Sequence, residues 1–137
     1  MKALLMMLLL SKTLLLTPIP IDLSNTWTEL TPKKPLKAIT GGAGIYIDVT
    51  ALVSKDTSAE ELQKYFPSGS IVARLVDKKG YEFLMVNEQA YSTSDEEIRL
   101  ILLNDSPTPT DKKFVKVFIK SKKPFSNVKI IWKNGKL

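Results

Sequence analysis

Residues 71–86 read IVARLVDKKGYEFLMV, and this stretch determines which fold class the sequence predicts. Apolar side chains dominate residues 71–76 and 81–86, and a polar segment at 77–80 separates the two runs. Four polar residues that end in glycine are a favoured connection between antiparallel strands. The stretch therefore predicts a β-hairpin.

Alternating apolar residues predict further strands on both sides of the hairpin. At residues 45–53 every second side chain is apolar, which is typical of a half-buried strand. Residues 97–103, 114–121 and 127–133 follow the same pattern. The side chains predicted to face the core are Ile45, Ile47, Val49, Ala51, Val53, Ile98, Leu100, Leu102, Val115, Val117, Ile119, Val128, Ile130 and Trp132.

One helical segment is predicted between these strands, at residues 58–66. Ser58 and Glu61 have the spacing of a capping box, in which the serine oxygen and the glutamate carboxylate bind opposing backbone amides. Leu62 lies on the apolar face, and Pro67 ends the segment. The pattern predicts a helix of about two turns.

About seven short strands with a single helix indicate a mainly β protein, because half-apolar sheets must bury their apolar faces against each other. We therefore predict an antiparallel β-sandwich of immunoglobulin or fibronectin type. The two cysteines that flank a core tryptophan in antibody domains are absent, since the chain has no cysteine. A partly open β-barrel would show the same strand spacing and is the second choice.

The first 40 residues differ in composition from the rest of the chain. Lys2 precedes an apolar run at 3–10 that resumes at 14–16, a combination typical of a secretory signal. As a helix, residues 3–16 would extend about 21 Å, which is less than the roughly 30 Å apolar core of a bilayer. A buried helix or strand of the domain is a third interpretation of this run.

We accordingly predict a signal peptide or N-terminal membrane tether at residues 1–21, an extended proline-rich leader at 22–40, and a single domain at 41–137. Within the leader, a weak edge strand is predicted at 27–30 or at 36–39. The predicted location is outside the cytoplasm: periplasmic, cell-surface or secreted, with membrane anchoring through residues 3–16 as a variant.

The composition disfavours several classes of function. The chain has neither cysteine nor histidine, so disulfide scaffolds, thiolate metal sites and the commonest general base are excluded. The glycine-rich stretch 41–44 precedes a strand rather than a helix, and we interpret it as a turn instead of a phosphate-binding loop. No cofactor, metal site or catalytic residue is predicted.

The charge is concentrated at the carboxyl end. The net charge is +6, and residues 111–137 carry nine lysines and one aspartate. Arginine, which nucleic-acid readers favour, occurs only at positions 74 and 99, so specific nucleic-acid recognition is not expected. If the last two strands pair, their outward side chains form a basic face with apolar residues between the charges. The residues predicted for this face are Lys116, Lys120, Lys122, Lys123, Phe125, Lys129 and Lys133.

A presented basic surface favours a binding role. We predict a non-catalytic accessory domain that contacts a protein, an anionic polymer or an anionic surface. One alternative is a structural component of a cell-envelope assembly that docks through an edge strand. Another is a histidine-free hydrolase, which would need a pocket around Tyr46, Asp48 and Glu82. For Trp27, the sequence leaves open a membrane-surface position or packing on the domain.

Overall fold

The computed structural model describes residues 13–17, 19–54, 56–93 and 97–134. These residues form a mainly β structure with one helix. The elements are β1 (Thr13–Leu15), β2 (Ile21–Leu23), β3 (Thr28–Leu30), β4 (Leu36–Lys37), β5 (Gly44–Asp48), α1 (Ala59–Tyr65), β6 (Ile71–Asp77), β7 (Glu82–Thr93), β8 (Ile98–Leu103), β9 (Lys113–Ser121) and β10 (Phe125–Lys133).

All ten strands belong to one connected sheet, and all of their pairings are antiparallel. The strand order is β1-β10-β5-β8-β7-β6-β9-β3, while β2 pairs with β10 and β4 pairs with β9. Consecutive strands β9 and β10 thus lie far apart in the sheet order. Strands β5, β8, β7 and β6 lie between them in the sheet, and this row of strands curls around the core.

The segment that contains β2 and β3 contacts both ends of this path. Leu23 pairs with Phe125 of β10, and Glu29 pairs with Phe118 of β9. Between them, the carbonyl oxygen of Ser24 accepts a hydrogen bond from the backbone nitrogen of Ser121, at 2.7 Å. The sheet therefore curls back on itself, with residues 21–30 bridging β10 and β9.

The predicted β class and short helix are confirmed, whereas the separate layers of a sandwich are not. The hairpin forms as β6 and β7, with Arg74 opposite Leu84. Its turn is held by Asp77, whose Oδ1 accepts hydrogen bonds from the backbone nitrogens of Lys79 and Tyr81, at 2.9 and 2.8 Å. Both possible edge strands of the leader form, as β3 and β4. The single curled sheet agrees in part with the second choice, a partly open β-barrel.

The core lies inside the curl and contains most of the predicted side chains. Trp132 is 2% exposed, as the alternation predicted. On β9 the pattern is wrong at one end: Phe114 is fully buried and Val115 is only partly buried. Val76 pairs with Lys116 while its neighbour Asp77 pairs with Phe114, so Val115 is the extra residue of a bulge that reverses the faces.

On β5 the inward pattern ends early. Ile45, Ile47 and Val49 are fully buried, but Ala51 is exposed and Val53 is half-buried. The strand stops at Asp48, and the backbone then turns, with the nitrogen of Leu52 donating to the carbonyl of Val49 at 2.8 Å. A turn removes the two-residue period on which the prediction for residues 51 and 53 depended.

Part of the amino-terminal region packs on the sheet. Thr13–Leu15 pairs with β10, and the buried hydroxyl of Thr17 accepts a hydrogen bond from the backbone nitrogen of Ile130 at 3.0 Å. The predicted signal or tether at 1–21 lies largely outside the described residues, and the domain boundaries stay a prediction. Within the described ranges, no helix is both long and apolar enough to cross a membrane.

Candidate functional site

The predicted lysine-rich face divides into three separate places. The sequence prediction required β9 and β10 to pair, but β9 is bonded to β3, β4 and β6, while β10 is bonded to β1, β2 and β5. In the described part of the sheet β9 and β10 do not pair, so the condition for one continuous basic face is not met, and a binding role for these residues stays a prediction. The reason is topological, because the β2–β3 segment separates two strands that a tight hairpin would have joined.

Lys116 and Lys120 occupy the outer face of β9, where both have partners. The Lys116 Nζ lies 3.7 Å from Glu29 Oε1. The Lys120 Nζ lies 4.5 Å from the ring centroid of Trp27, and the guanidinium carbon of Arg74 is 4.8 Å from the same ring. Trp27 therefore packs on the domain, held by cation–π contacts to two strands.

Lys129 and Lys133 lie on the outer side of β10. Lys129 is exposed and sits opposite Asp48 of β5 in the strand register. The Lys133 Nζ lies 5.3 Å from the ring centroid of Tyr46. An acidic neighbour in the register offsets part of the positive charge on this side.

The remaining residues of the predicted face, Lys122, Lys123 and Phe125, meet at one small cavity. Its volume is about 90 Å³, which is large enough to admit water or a small anion. The lining residues are Tyr65, Pro67, Ser68, Ser70, Lys122, Lys123 and Phe125. No acidic side chain is among them. We refer to this cavity as the lysine pocket.

Two chain segments that are distant in sequence build the lysine pocket. The backbone nitrogen of Lys122 donates to the carbonyl of Ser70 at 2.8 Å, which attaches the β9–β10 connection to the turn before β6. On the other wall, the ring of Phe125 lies 4.9 Å from the ring of Phe66 at the end of α1. These contacts fix the backbone on which both lysines are carried.

Asn87 of β7 holds the turn that supplies the two serines. Its side chain is 1% exposed, and its Oδ1 accepts a hydrogen bond from the backbone nitrogen of Ile71 at 2.8 Å. Its Nδ2 donates to the carbonyls of Phe66 and Pro67, both at 3.1 Å. The turn itself uses Gly69, whose φ of +79° is unfavourable for other residues. The pocket wall is thus anchored to the core.

The composition of the lysine pocket suits an oxyanion. Its lining combines two lysines with the hydroxyl-bearing residues Tyr65, Ser68 and Ser70, and ammonium and hydroxyl groups are the donors that oxyanions accept from. The sequence prediction missed the three hydroxyl residues. A Ser-Gly-Ser turn is recognisable in sequence, but only the tertiary contact between Lys122 and Ser70 brings it to the lysines.

A second cavity, of about 510 Å³, lies between α1 and β7. It is lined by Ala59, Glu60, Gln63, Lys64, Gln89 and Tyr91. The Tyr91 hydroxyl donates to Gln63 Oε1 at 3.2 Å, and burial raises the pKa of Tyr91 above its ordinary value of 10.0. A phenol with a raised pKa keeps its proton at neutral pH and is a hydrogen-bond donor rather than a general base.

The residues proposed for a hydrolase pocket do not come together at either cavity. Asp48 Oδ1 accepts hydrogen bonds from the backbone nitrogen and the hydroxyl of Thr50, at 2.9 and 2.5 Å. Glu82 Oε1 lies 3.8 Å from an Arg74 guanidinium nitrogen. Tyr46 contacts Lys133 as described above. Each of the three side chains therefore contacts a different residue. Tyr46 and Asp48 lie on β5 and Glu82 lies on β7, and β8 lies between these two strands in the sheet.

Metal-ligating side chains do not cluster in the part of the chain that the structure describes, where no group of three or more could hold an ion. Comparison of the chain with protein-family models, with curated proteins and with solved structures finds no match.

Proposed function

We propose that this protein is a non-catalytic binding module that captures an oxyanion group, such as a phosphate or sulfate, carried by a larger partner. The observation that carries the proposal is the lysine pocket, in which Lys122 and Lys123 meet three hydroxyl residues with no acidic neighbour in the lining. The lysines on β9 and β10 would add a general attraction for anionic partners.

The lysine pocket is favoured over the other lysines because its cations are not committed to an acidic partner in its lining. Lys116 lies close to Glu29, and Lys129 faces Asp48 across the strand pair. An ammonium that already neutralises a carboxylate gains less from a second anion. Pocket geometry adds hydroxyl donors, which an isolated surface lysine lacks.

Binding is favoured over catalysis for a chemical reason. The chain has no histidine or cysteine to act as base or nucleophile at neutral pH. In the larger cavity, the raised pKa of Tyr91 makes its phenol a poor base. A presented cationic pocket needs neither group to hold an anion.

Two double variants with equal net charge test the site. Lys122→Gln/Lys123→Gln removes both pocket cations, and Lys129→Gln/Lys133→Gln removes two lysines from β10; each lowers the net charge from +6 to +4. Inorganic phosphate and sulfate are titrated into each protein, with amide shifts followed by NMR. We expect saturable shifts at the amides of residues 68–70, 122, 123 and 125 in the wild type and the β10 variant, and their loss in the pocket variant.

Equal responses of the two variants would contradict the proposal, because general charge attraction would then explain the binding. The same two variants can be used as baits to capture material from an envelope fraction. Extraction of the captured material then distinguishes a lipid that carries the oxyanion from a polymer that carries it. Loss of capture in the pocket variant alone is the expected result.

The proposed location is extracytoplasmic, by export or by a tether through residues 3–16, and either a cleavage after residue 21 or such a tether would remove Thr13–Leu15 from its pairing with β10. Its support is the basic start and short apolar run of residues 2–16. Cell fractionation with intact-mass measurement reports the compartment and the mature amino terminus together. The immunoglobulin- or fibronectin-like layering also remains a proposal, supported by a core that is enclosed between opposite walls of the curled sheet.

A further inference from the structure

The lysine pocket is too small to enclose the molecule that carries an oxyanion. Its volume of about 90 Å³ is below the roughly 300–1,000 Å³ of pockets that enclose a whole small molecule. The rest of a ligand bound there must lie outside the pocket, so the surface next to it decides which carriers fit. The cavity between α1 and β7, with a volume of about 510 Å³, is that neighbour, and we call it the α1–β7 cavity.

Gln63 connects the two cavities. It lines the α1–β7 cavity, and its Nε2 donates a hydrogen bond at 3.3 Å to the Oγ of Ser68, which lines the lysine pocket. Its Oε1 accepts the hydrogen bond from the Tyr91 hydroxyl. On α1, Lys64 lines the larger cavity and the next residue, Tyr65, lines the lysine pocket. One ligand can therefore reach both cavities across a single side chain.

The direction of these hydrogen bonds leaves a donor for an oxyanion. Because the Ser68 oxygen accepts a proton from Gln63, the Ser68 hydroxyl can donate its own proton to another acceptor. Gln63 uses one of its two amide protons in this contact and keeps the other for a ligand. Hydrogen bonds in such a chain polarise one another. Gln63 is therefore a positioning residue for the lysine pocket as well as part of the larger cavity.

The lining of the α1–β7 cavity suits a neutral group with many hydroxyls. Among the described residues that line it, Ala59 is the only aliphatic one. Gln63 and Gln89 each carry an amide that both donates and accepts hydrogen bonds. Glu60 and Lys64 are one helical turn apart and have opposite charges, so the lining has no net charge. An acyl chain would leave these polar groups without partners, whereas the hydroxyls of a sugar can pair with them.

Strand β7 is irregular where it borders the α1–β7 cavity. Between Asn87 and Tyr91, β7 has three residues where its partner β8 has one. Bulges of this kind re-aim side chains and are common next to functional sites. Gln89 lies within the bulge and lines the cavity. The wall of the cavity therefore includes a local departure from regular strand geometry.

We propose that the ligand of this protein is a saccharide that carries a phosphate or sulfate, with the oxyanion in the lysine pocket and the sugar in the α1–β7 cavity. This inference rests on the proposed anion binding and names the carrier. A neutral sugar gains no charge attraction from a neutral lining, and an inorganic anion uses the lysine pocket alone. When both groups belong to one molecule, the second contact is intramolecular, so binding is tighter.

NMR titrations test the nature of the carrier. Inorganic phosphate and sulfate are compared with glucose 1-phosphate, glucose 6-phosphate and glucose 6-sulfate, and glycerol 3-phosphate represents a lipid headgroup. We expect at least one sugar ester to bind about tenfold more tightly than the corresponding inorganic anion. Its titration should shift the amides of residues 59–64, 89 and 91 in addition to those of the lysine pocket. Glycerol 3-phosphate should bind no more tightly than inorganic phosphate.

Gln89→Ala tests the α1–β7 cavity without a change of charge. The control is Thr93→Ala, because Thr93 is an exposed polar residue of the same strand and is not in the lining. We expect Gln89→Ala to weaken binding of the sugar ester by about threefold to tenfold, the effect of one hydrogen bond. Its affinity for inorganic phosphate should equal that of the wild type. Thr93→Ala should bind both ligands as the wild type does.

The possible outcomes separate this inference from the proposed function. If phosphate or sulfate binds at the lysine pocket but no sugar ester binds more tightly, the sugar is wrong and anion binding stands. Tighter binding of glycerol 3-phosphate than of every sugar ester would favour a lipid and would also overturn the inference, as would a Gln89→Ala variant that retains full affinity for the ester. If neither inorganic anion gives saturable shifts at the lysine pocket, the proposed function fails, and this inference fails with it.

Discussion

At the scale of single residues, buried polar side chains explain how a short helix and a turn are held on this sheet. Asn87 satisfies the backbone nitrogen of Ile71 and the carbonyls of Phe66 and Pro67 from within the core. Buried backbone groups without partners are costly, so one amide side chain stabilises the whole connection from α1 to β6. The position of the lysine pocket depends on it, because Ser70 lies in that connection.

Tyr91 gives a prediction for the effect of pH on stability. Burial raises its pKa in the folded state above 10.0, so the folded protein retains the phenol proton more strongly than the unfolded chain does. The resulting contribution to stability is fully present below pH 10.0 and is lost as the pH rises through the folded-state pKa. Tyr91→Phe should therefore lose less stability than the wild type at high alkaline pH.

The measurement is urea unfolding at several pH values, from neutral to about pH 11.5. At pH 7 we expect Tyr91→Phe to be destabilised by about 0.5–1.5 kcal/mol, because the hydrogen bond to Gln63 is removed. Tyr81→Phe, at an exposed tyrosine, is the control for loss of a phenol hydroxyl. If Tyr91→Phe lost as much free energy of unfolding at alkaline pH as the wild type does, ionisation of Tyr91 would not explain the loss.

At the scale of elements, α1 is short enough to depend on its cap. Ser58 Oγ accepts a hydrogen bond from the backbone nitrogen of Glu61 at 3.2 Å, and Glu60 and Glu61 occupy the first turn. A helix of seven residues does not form alone, and in the protein it is held by Leu62 and by its cap. The capping box in the sequence predicted its start correctly.

Ser58→Ala should lower the free energy of unfolding by about 1 kcal/mol, the usual cost of losing an N-cap. Chemical denaturation measures it, with Ser106→Ala as the control, because Ser106 is exposed and lies outside the helix. Because Tyr65 at the end of α1 lines the lysine pocket, the amide signal of Tyr65 should also broaden in the phosphate titration. Unchanged stability would mean that α1 contributes little to the fold.

At the scale of the whole molecule, the segment 21–30 is an integral part of the core wall although its composition suggests a leader. Leu23 is 1% exposed and belongs to the core beside β10, while Leu36 of β4 is 2% exposed beside β9. Polar residues at 24–26 and the prolines that flank the segment at 20, 32 and 35 predict an extended backbone. They do not show whether that backbone packs against a domain.

Leu23→Ala should therefore destabilise the protein by about 2–5 kcal/mol, as large-to-small changes in a packed core do. The control is Ile39→Ala, at a side chain that is 49% exposed. Thermal and urea unfolding give the difference. A loss similar to that of the control would show that residues 21–30 do not close the curled sheet.

Much of the secondary structure could be predicted from local pattern. Residues 71–86 form the expected hairpin, Ser58 caps the expected helix, and Trp132 is in the core as alternation indicated. Local pattern failed where a single residue changes the period. The bulge at Val115 turns Phe114 inward, and an extra residue of this kind leaves no signal in the alternation of one strand.

The candidate site was only partly accessible to sequence reasoning. Lysine content identified Lys122 and Lys123, because charge is a property of composition. The three hydroxyl residues of the lysine pocket belong to a different segment, and the separation of β9 from β10 removed Lys116 and Lys129 from a shared face. Strand order depends on long-range pairing, which the period of each strand does not encode.

The amino-acid sequence by itself determined the β class, the hairpin, the capped helix and the concentration of positive charge near the carboxyl end, because each depends on residues that are close along the chain. Only the tertiary structure decided the curl of the sheet, the position of residues 21–30 and the lysine pocket. These features arise where distant strands pair, and the free energy of that pairing comes from the core as a whole.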